Sequence, residues 1–212
     1  MRAVLIYRWI VFLLAAGYCL RTLILGGWES FGGPFRFLTI WALFASFFCA
    51  SRMMALEEGR STRRWDGFVS MTAVLNAMVV FLYWRLFLED PSNVRSNGQM
   101  GEPYLEFYLH GVGPLLQWID ALFIHRAFRK VGAAALWLVG VIAAYIAWAE
   151  LLVQPFNATP RGTVTSGLPY PFLNSLPFDG RVGFYATNFT AALVLLCIFA
   201  ALAWAVRRLR PR

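Results

Sequence analysis

Phe31-Gly32-Gly33-Pro34-Phe35-Arg36-Phe37-Leu38-Thr39-Ile40 reads as a tight turn that runs straight into an apolar helix. Gly32 and Gly33 permit backbone angles closed to other residues, and Pro34 suits a first helical position, where a missing N–H costs nothing. The stretch predicts a long helix from Phe35, with Thr39 just past its first turn. A lone threonine there usually bonds the carbonyl one turn earlier and does nothing else. A polar partner at the same depth in another helix gives Thr39 a further use.

Outward from this turn the chain is dominated by apolar runs. Of its 212 residues, 59% are hydrophobic and only 14% charged, with nine Trp and nineteen Phe, which excludes an ordinary soluble domain. Six stretches reach the roughly 20 residues that a helix needs to cross a bilayer. They lie near residues 4–25, 35–56, 67–88, 104–125, 131–153 and 183–206. The first is too long for a signal-peptide core and lacks a convincing cleavage site, so it counts as a span. The expectation is an all-α, polytopic membrane protein, a single domain over residues 1–212.

Charge sets the orientation. The formal charge is +8, with 19 basic residues against 11 acidic ones. Thirteen of the basic residues fall at one set of helix ends: Arg2, Arg8, Arg52, Arg60, Arg63, Arg64, Arg126, Arg129, Lys130, Arg207, Arg208, Arg210 and Arg212. Six fall at the other: Arg21, Arg36, Arg85, Arg95, Arg161 and Arg181. The excess predicts cytoplasmic termini, in a bacterial inner or plasma membrane. Anionic headgroups account for the arginines, so no nucleic-acid partner is expected.

Cys19, Cys49 and Cys197 lie far apart in apolar spans, without metal-ligand spacing, and read as buried small hydrophobes. The outer loop from Gln154 to Val182 carries five prolines and the aromatic run Tyr170-Pro171-Phe172-Leu173. A loop of that length and aromatic content reads as a lid, at headgroup depth or folded over the bundle.

The standard catalytic strings are absent: no G-x-S-x-G, no H-E-x-x-H, no phosphate-binding glycine loop and no C-x-x-C. With two histidines in the chain, a histidine metal cage is not expected, nor is any cofactor. His125 sits beside Arg126 and Arg129 and reads as interfacial. His110 lies inside a span, where an ionisable side chain is costly and function is the first hypothesis. It opens His110-Gly111-Val112-Gly113-Pro114. Pro114 has no N–H for the His110 carbonyl, so a kink is expected there. Gly111 and Gly113 remove bulk beside the ring, leaving room for an acyl chain. The competing reading is a satisfied packing histidine at a kink.

Depth joins His110 to Thr39. At 1.5 Å per residue the two lie about 9 and about 6 Å below their predicted helix starts, in one membrane layer. Histidine is the usual base for a hydroxyl nucleophile, and the positive helix end near Thr39 favours a developing oxyanion. Glu106, one turn before His110 on the same face, is a candidate to orient the ring. Asp120 is about 15 Å along the helix and too distant. Glu150 and Arg85 are expected to pair, and Asn76 has no evident partner.

Gly32-Gly33-Pro34-Phe35-Arg36-Phe37-Leu38-Thr39 resembles the Gly-Gly-x-aromatic-basic-aromatic-Leu-Thr signature of the androgen-induced protein and androgen-dependent TFPI-regulating protein family. Arg64-Trp65-Asp66, His110 with Pro114 and Asp120, and Tyr170-Pro171-Phe172-Leu173 continue the similarity in the same order. The resemblance implies a six-helix membrane hydrolase with a threonine nucleophile and a histidine, acting on fatty acid esters of hydroxy fatty acids. Thr39 and His110 would be catalytic, and Tyr170 and Phe172 would close over a lipid ester arriving from the bilayer. The family often has two histidines three apart where this chain has one, and its amide one turn earlier is Glu106 here. Placing His110 on the catalytic histidine needs a one-residue shift at Pro114; the other register puts Gly113 there and removes the dyad. A proton-coupled carrier using His110, Glu106 and Glu150, and a non-catalytic scaffold, are the alternatives from other classes.

Overall fold

The computed structural model describes residues 2–94 and 99–209, and Arg95, Arg210 and Arg212 of the charge count lie outside them. Among the described residues all regular structure is helical. Five helical segments are long and apolar enough to cross a membrane: Arg2–Leu25, Leu38–Glu57, Asp66–Glu89, Val131–Asn157 and Phe178–Leu209. The first three are α1, α2 and α3. The segment Val131–Asn157 consists of α6 (Val131–Trp148), a π-helical turn Ala149–Val153 and α7 (Gln154–Asn157). Phe178–Leu209 is α9, after the short α8 (Pro171–Asn174).

The stretch expected as the fourth span is not one regular helix. It runs as α4 (Pro103–Phe107), a π-helical turn (Tyr108–Val112), α5 (Gly113–Ile119) and a second π-helical turn (Asp120–Ile124). Two of the three π-helical turns end two residues before a proline, Pro114 or Pro155. Proline withholds the N–H that the residue four back would receive and crowds its carbonyl, and a wider turn relieves both.

The helix α3 sits at the centre, packed on α2, α6 and α9. From Val69 to Val79 every residue is buried. Met71, Val74 and Leu75 meet Cys49 and Met53 of α2, Ala134 and Leu138 of α6, and Ala192 and Leu196 of α9. Lipid is as apolar as these side chains, so close packing and interhelical polar bonds hold such a bundle. A Cβ on Gly67 would stand 3.0 Å from the Ala133 Cβ, which shows how closely α3 and α6 approach. Asn76, without a partner in the sequence reading, donates to Ser46 Oγ at 2.8 Å and to the Thr72 carbonyl at 3.0 Å. Cys19 and Cys49 are buried as expected, but Cys197 is exposed on the outward face of α9, where an apolar thiol is compatible with lipid.

The charge-rich end is locked by buried ion pairs. Arg8 grips Asp120 with Nε and Nη2, each at 3.0 Å, and sends Nη1 to Glu57 at 3.0 Å and to the Met53 carbonyl at 2.9 Å. His125 is buried rather than interfacial. Its Nε2 stands 2.9 Å from Asp66 Oδ1, while Arg64 donates to its carbonyl at 2.8 Å. The reason is the turn after Ile124, which folds back so that Phe128 N–H reaches Ser70 Oγ at 2.8 Å and carries His125 inward.

Truncating Arg8 strands the buried Asp120 carboxylate and takes a partner from the half-buried Glu57. Arg8→Ala should cost about 3–5 kcal/mol, whereas Arg60→Ala, which breaks an exposed pair with Glu58, should cost less than about 1. Thermal unfolding in detergent checks this, and equal melting temperatures for the two variants would contradict it.

Candidate active site

The helix α2 starts at Leu38, three residues later than the sequence suggests. Gly32 (φ 84°) and Gly33 (φ 47°) take left-handed backbone, Gly33–Arg36 makes one 3₁₀ turn with Pro34 near its start, and Phe37 is extended before α2 begins. A Cβ on Gly33 would come within 2.4 Å of the Trp28 ring. Three aromatic side chains then fix the turn. The Phe35 carbonyl accepts from the indoles of Trp41 (2.9 Å) and Trp148 (3.0 Å), and the Arg36 carbonyl accepts from Tyr145 O–H at 2.9 Å. Asn157 clamps Phe31 at both its N–H (2.8 Å) and its carbonyl (3.0 Å). Thr39 is therefore the second residue of α2, inside the first turn, where the positive end of the helix acts most strongly.

His110 lies in the π-helical turn with φ −113° and ψ 17°, outside helical values. The carbonyl that Pro114 leaves without its usual donor receives the Trp84 indole N–H at 2.8 Å. Tyr83, one residue earlier, stacks on the imidazole with centroids 3.6 Å apart and planes 9° off parallel. Held this way, His110 Nε2 stands 3.3 Å from Thr39 Oγ1. Its Nδ1 has two oxygens at 3.2 Å, the Glu106 carbonyl and Glu106 Oε2. Both accept, so Nδ1 carries the proton and the Nε2 lone pair faces the threonine. Imidazole and carboxylate are both buried.

Thr39 stands where two cavities meet. One, of about 90 Å³, is apolar and runs between α3, α6 and α9 past Met78, Ile142, Ile146, Phe172 and Phe189. The other, of about 470 Å³, is lined by Arg21, Thr22, Glu106 and His110 among others. Thr39, Tyr83 and Tyr170 line both. The long loop folds over this end. Tyr170, Phe172 and Leu176 pack with Leu168, Leu173, Phe184 and Tyr185. Arg181, 1% exposed, pairs with Glu150 (3.0 and 3.1 Å) and donates to the loop carbonyls of Val164 and Leu176. Tyr185 O–H adds a 2.7 Å bond to Glu150.

The model of the FAR-17a/AIG1-like protein family matches residues 3–203. The chain belongs to that family. No curated protein and no solved structure matches it.

In this FAR-17a/AIG1-like chain Thr39, His110, Glu106 and Tyr170 come together, and the histidine, not Gly113, faces the threonine. Gly113 lines a further small cavity together with Thr39 and Pro114. Gly111 opens onto empty space and lines neither main cavity. Gly113 makes room for Tyr108, whose carbonyl a Cβ there would meet at 2.9 Å. Glu150 pairs with Arg181 rather than Arg85, because α9 starts at Phe178 and carries Arg181 onto α6, while Arg85 is exposed. Among the described residues no group of three His, Cys, Asp or Glu is placed to hold a metal.

Tyr83, Trp84, Trp41, Tyr145 and Trp148 position the site and escaped the sequence reading, since a chain with 17% aromatic residues offers no signal that singles them out. The glycine turn did give a signal, and its removal is testable. Gly33→Ala places a Cβ in left-handed backbone against Trp28 and should cost at least about 1–2 kcal/mol. A melting temperature in detergent equal to that of the unsubstituted protein would count against this reading of the turn.

Proposed function

We propose that this FAR-17a/AIG1-like protein is a membrane-embedded hydrolase of lipid esters with Thr39 as nucleophile and His110 as base. The observation that carries the reading is the Thr39 Oγ1–His110 Nε2 contact of 3.3 Å, with Nδ1 held by Glu106, at the junction of two cavities. The fourth helical run, Pro103 to Ile124, counts as a sixth span, with both termini on the cytoplasmic side of a bacterial inner or plasma membrane. The site then lies near the outer face, where an ester slides in from the bilayer without a soluble carrier. The acyl chain takes the apolar cavity, the alcohol portion takes the wider one, and Tyr170 and Phe172 cover both.

Thr39 Oγ1 attacks the ester carbonyl carbon, its proton passes to His110 Nε2, and the carbonyl π pair moves onto oxygen. The tetrahedral intermediate collapses, the bond to the alkoxide breaks, and the alkoxide leaves with the proton from Nε2. An acyl-threonine remains. Water adds to it with His110 again taking the proton, and the second collapse frees the fatty acid and returns the proton to Thr39. Glu106 keeps the proton on Nδ1 throughout and so holds the base in its working tautomer. The transition state draws further stabilisation from the start of α2. Neither step calls for a metal or an organic cofactor.

The test is hydrolysis of a panel of fatty acid esters, including esters of hydroxy fatty acids, by the purified protein in liposomes. Thr39→Ala should fall to background, and His110→Ala should lose roughly a hundredfold to ten-thousandfold. Glu106→Gln should stay within about tenfold, because its backbone carbonyl still accepts from Nδ1. Hydrolysis that survives both Thr39→Ala and His110→Ala would rule the dyad out, and solute flux without ester cleavage would favour a carrier.

A further inference from the structure

Tyr170 shares the wall of the apolar cavity with Leu38, Thr39 and Tyr145, and the wall of the wider one with Thr39 again. The protons around it have other destinations. Tyr145 gives its O–H to the Arg36 carbonyl at 2.9 Å. The Thr39 hydroxyl faces Nε2 of His110 at 3.3 Å. A phenol O–H bonds more strongly to the negative oxygen of a tetrahedral intermediate than to a neutral hydroxyl such as those of Thr39 and Tyr145.

Position agrees with chemistry. Tyr170 lines both cavities, so an ester whose chains occupy them and whose carbonyl carbon meets Thr39 Oγ1 passes the phenol. The ring is held edge-on against Phe37, with centroids 5.6 Å apart and planes at 81°, and Pro171 opens α8 directly after it. Arg181 ties the surrounding loop to Glu150. A donor fixed before the substrate arrives costs no reorganisation during the reaction.

We propose that the Tyr170 hydroxyl is the oxyanion donor of this site, giving its O–H to the carbonyl oxygen as Thr39 attacks. The assignment rests on the hydrolase reading and adds to it: a lid needs only the ring, an oxyanion donor needs the hydroxyl. Burial pushes the phenol above its ordinary value, against the pull of its hydrogen-bond partners, and so keeps the proton in place at neutral pH.

The experiment uses p-nitrophenyl decanoate in detergent micelles with the full chain, Thr39→Ala, Tyr170→Phe and a variant carrying p-aminophenylalanine at position 170. Tyr170→Phe should lower kcat about a hundredfold, with KM changed less than about twofold. The p-amino group, which restores a donor on the same ring, should recover part of the loss. A second measurement stands apart from turnover. An alkyl p-nitrophenyl phosphonate forms an O–P bond to Thr39, expels p-nitrophenolate and develops the same negative oxygen. Its labelling rate, read by mass spectrometry in the cold, should fall by a similar factor in Tyr170→Phe. Unchanged kcat and labelling in Tyr170→Phe, or a change confined to KM, would overturn the oxyanion role and leave the hydrolase intact. Cleavage that survives Thr39→Ala would overturn both.

Discussion

Pro114 has no N–H to give the His110 carbonyl, and the placement of the imidazole follows from that one missing donor. The helical run widens into a π-helical turn, the freed carbonyl takes the Trp84 indole instead, and the ring leaves the ordinary helical track to lie flat on Tyr83. In a bilayer the substitute bond is not optional, because lipid has no donor to offer an open carbonyl. The same replacement pins the histidine. Its Nδ1 then falls on two oxygens of Glu106 and its Nε2 on Thr39, so proline geometry fixes both the position and the tautomer of the ring.

The threonine is positioned by a separate device. Two left-handed glycines and a proline interrupt the backbone, and indole and phenol donors from α2 and α6 hold the carbonyls of Phe35 and Arg36. With those carbonyls turned toward α6, α2 begins at Leu38 and presents its first turn to the cavities. The far end of the bundle is built differently. Arg8 with Asp120 and Glu57, and His125 with Asp66, fill it with partnered charge. Both ends thus hold buried ion pairs, Arg181 with Glu150 at the cavity end, but that end also keeps open space around a hydroxyl and an imidazole.

Much of this was legible in the sequence, and the gaps have physical causes. Apolar runs located the long helices to within a few residues, except the start of α9, five residues before its predicted edge, and the fourth segment, whose irregularity Pro114 announced without revealing its form. The Gly32-Gly33-Pro34 turn and His110 stood out because glycine, proline and a buried ionisable group are rare in apolar helices. Depth arithmetic brought Thr39 and His110 into one layer although it assumed a helix start at Phe35 rather than Leu38. Partner choice was not legible. Whether Glu150 meets Arg85 or Arg181 depends on where α9 begins, and whether His125 turns inward depends on the fold-back after Ile124. Gly111 and Gly113 look alike in sequence, yet one faces open space and the other makes room for Tyr108.

The central claim is that the Thr39 oxygen, activated by His110, forms a covalent bond to an acyl group. Acid-quenching the protein during turnover of a slow lipid ester and mapping its peptides by mass spectrometry tests this directly. The account predicts an added acyl mass on the peptide that holds Thr39, at that residue. Turnover without an adduct on that peptide, or with the acyl group on another side chain, would contradict it.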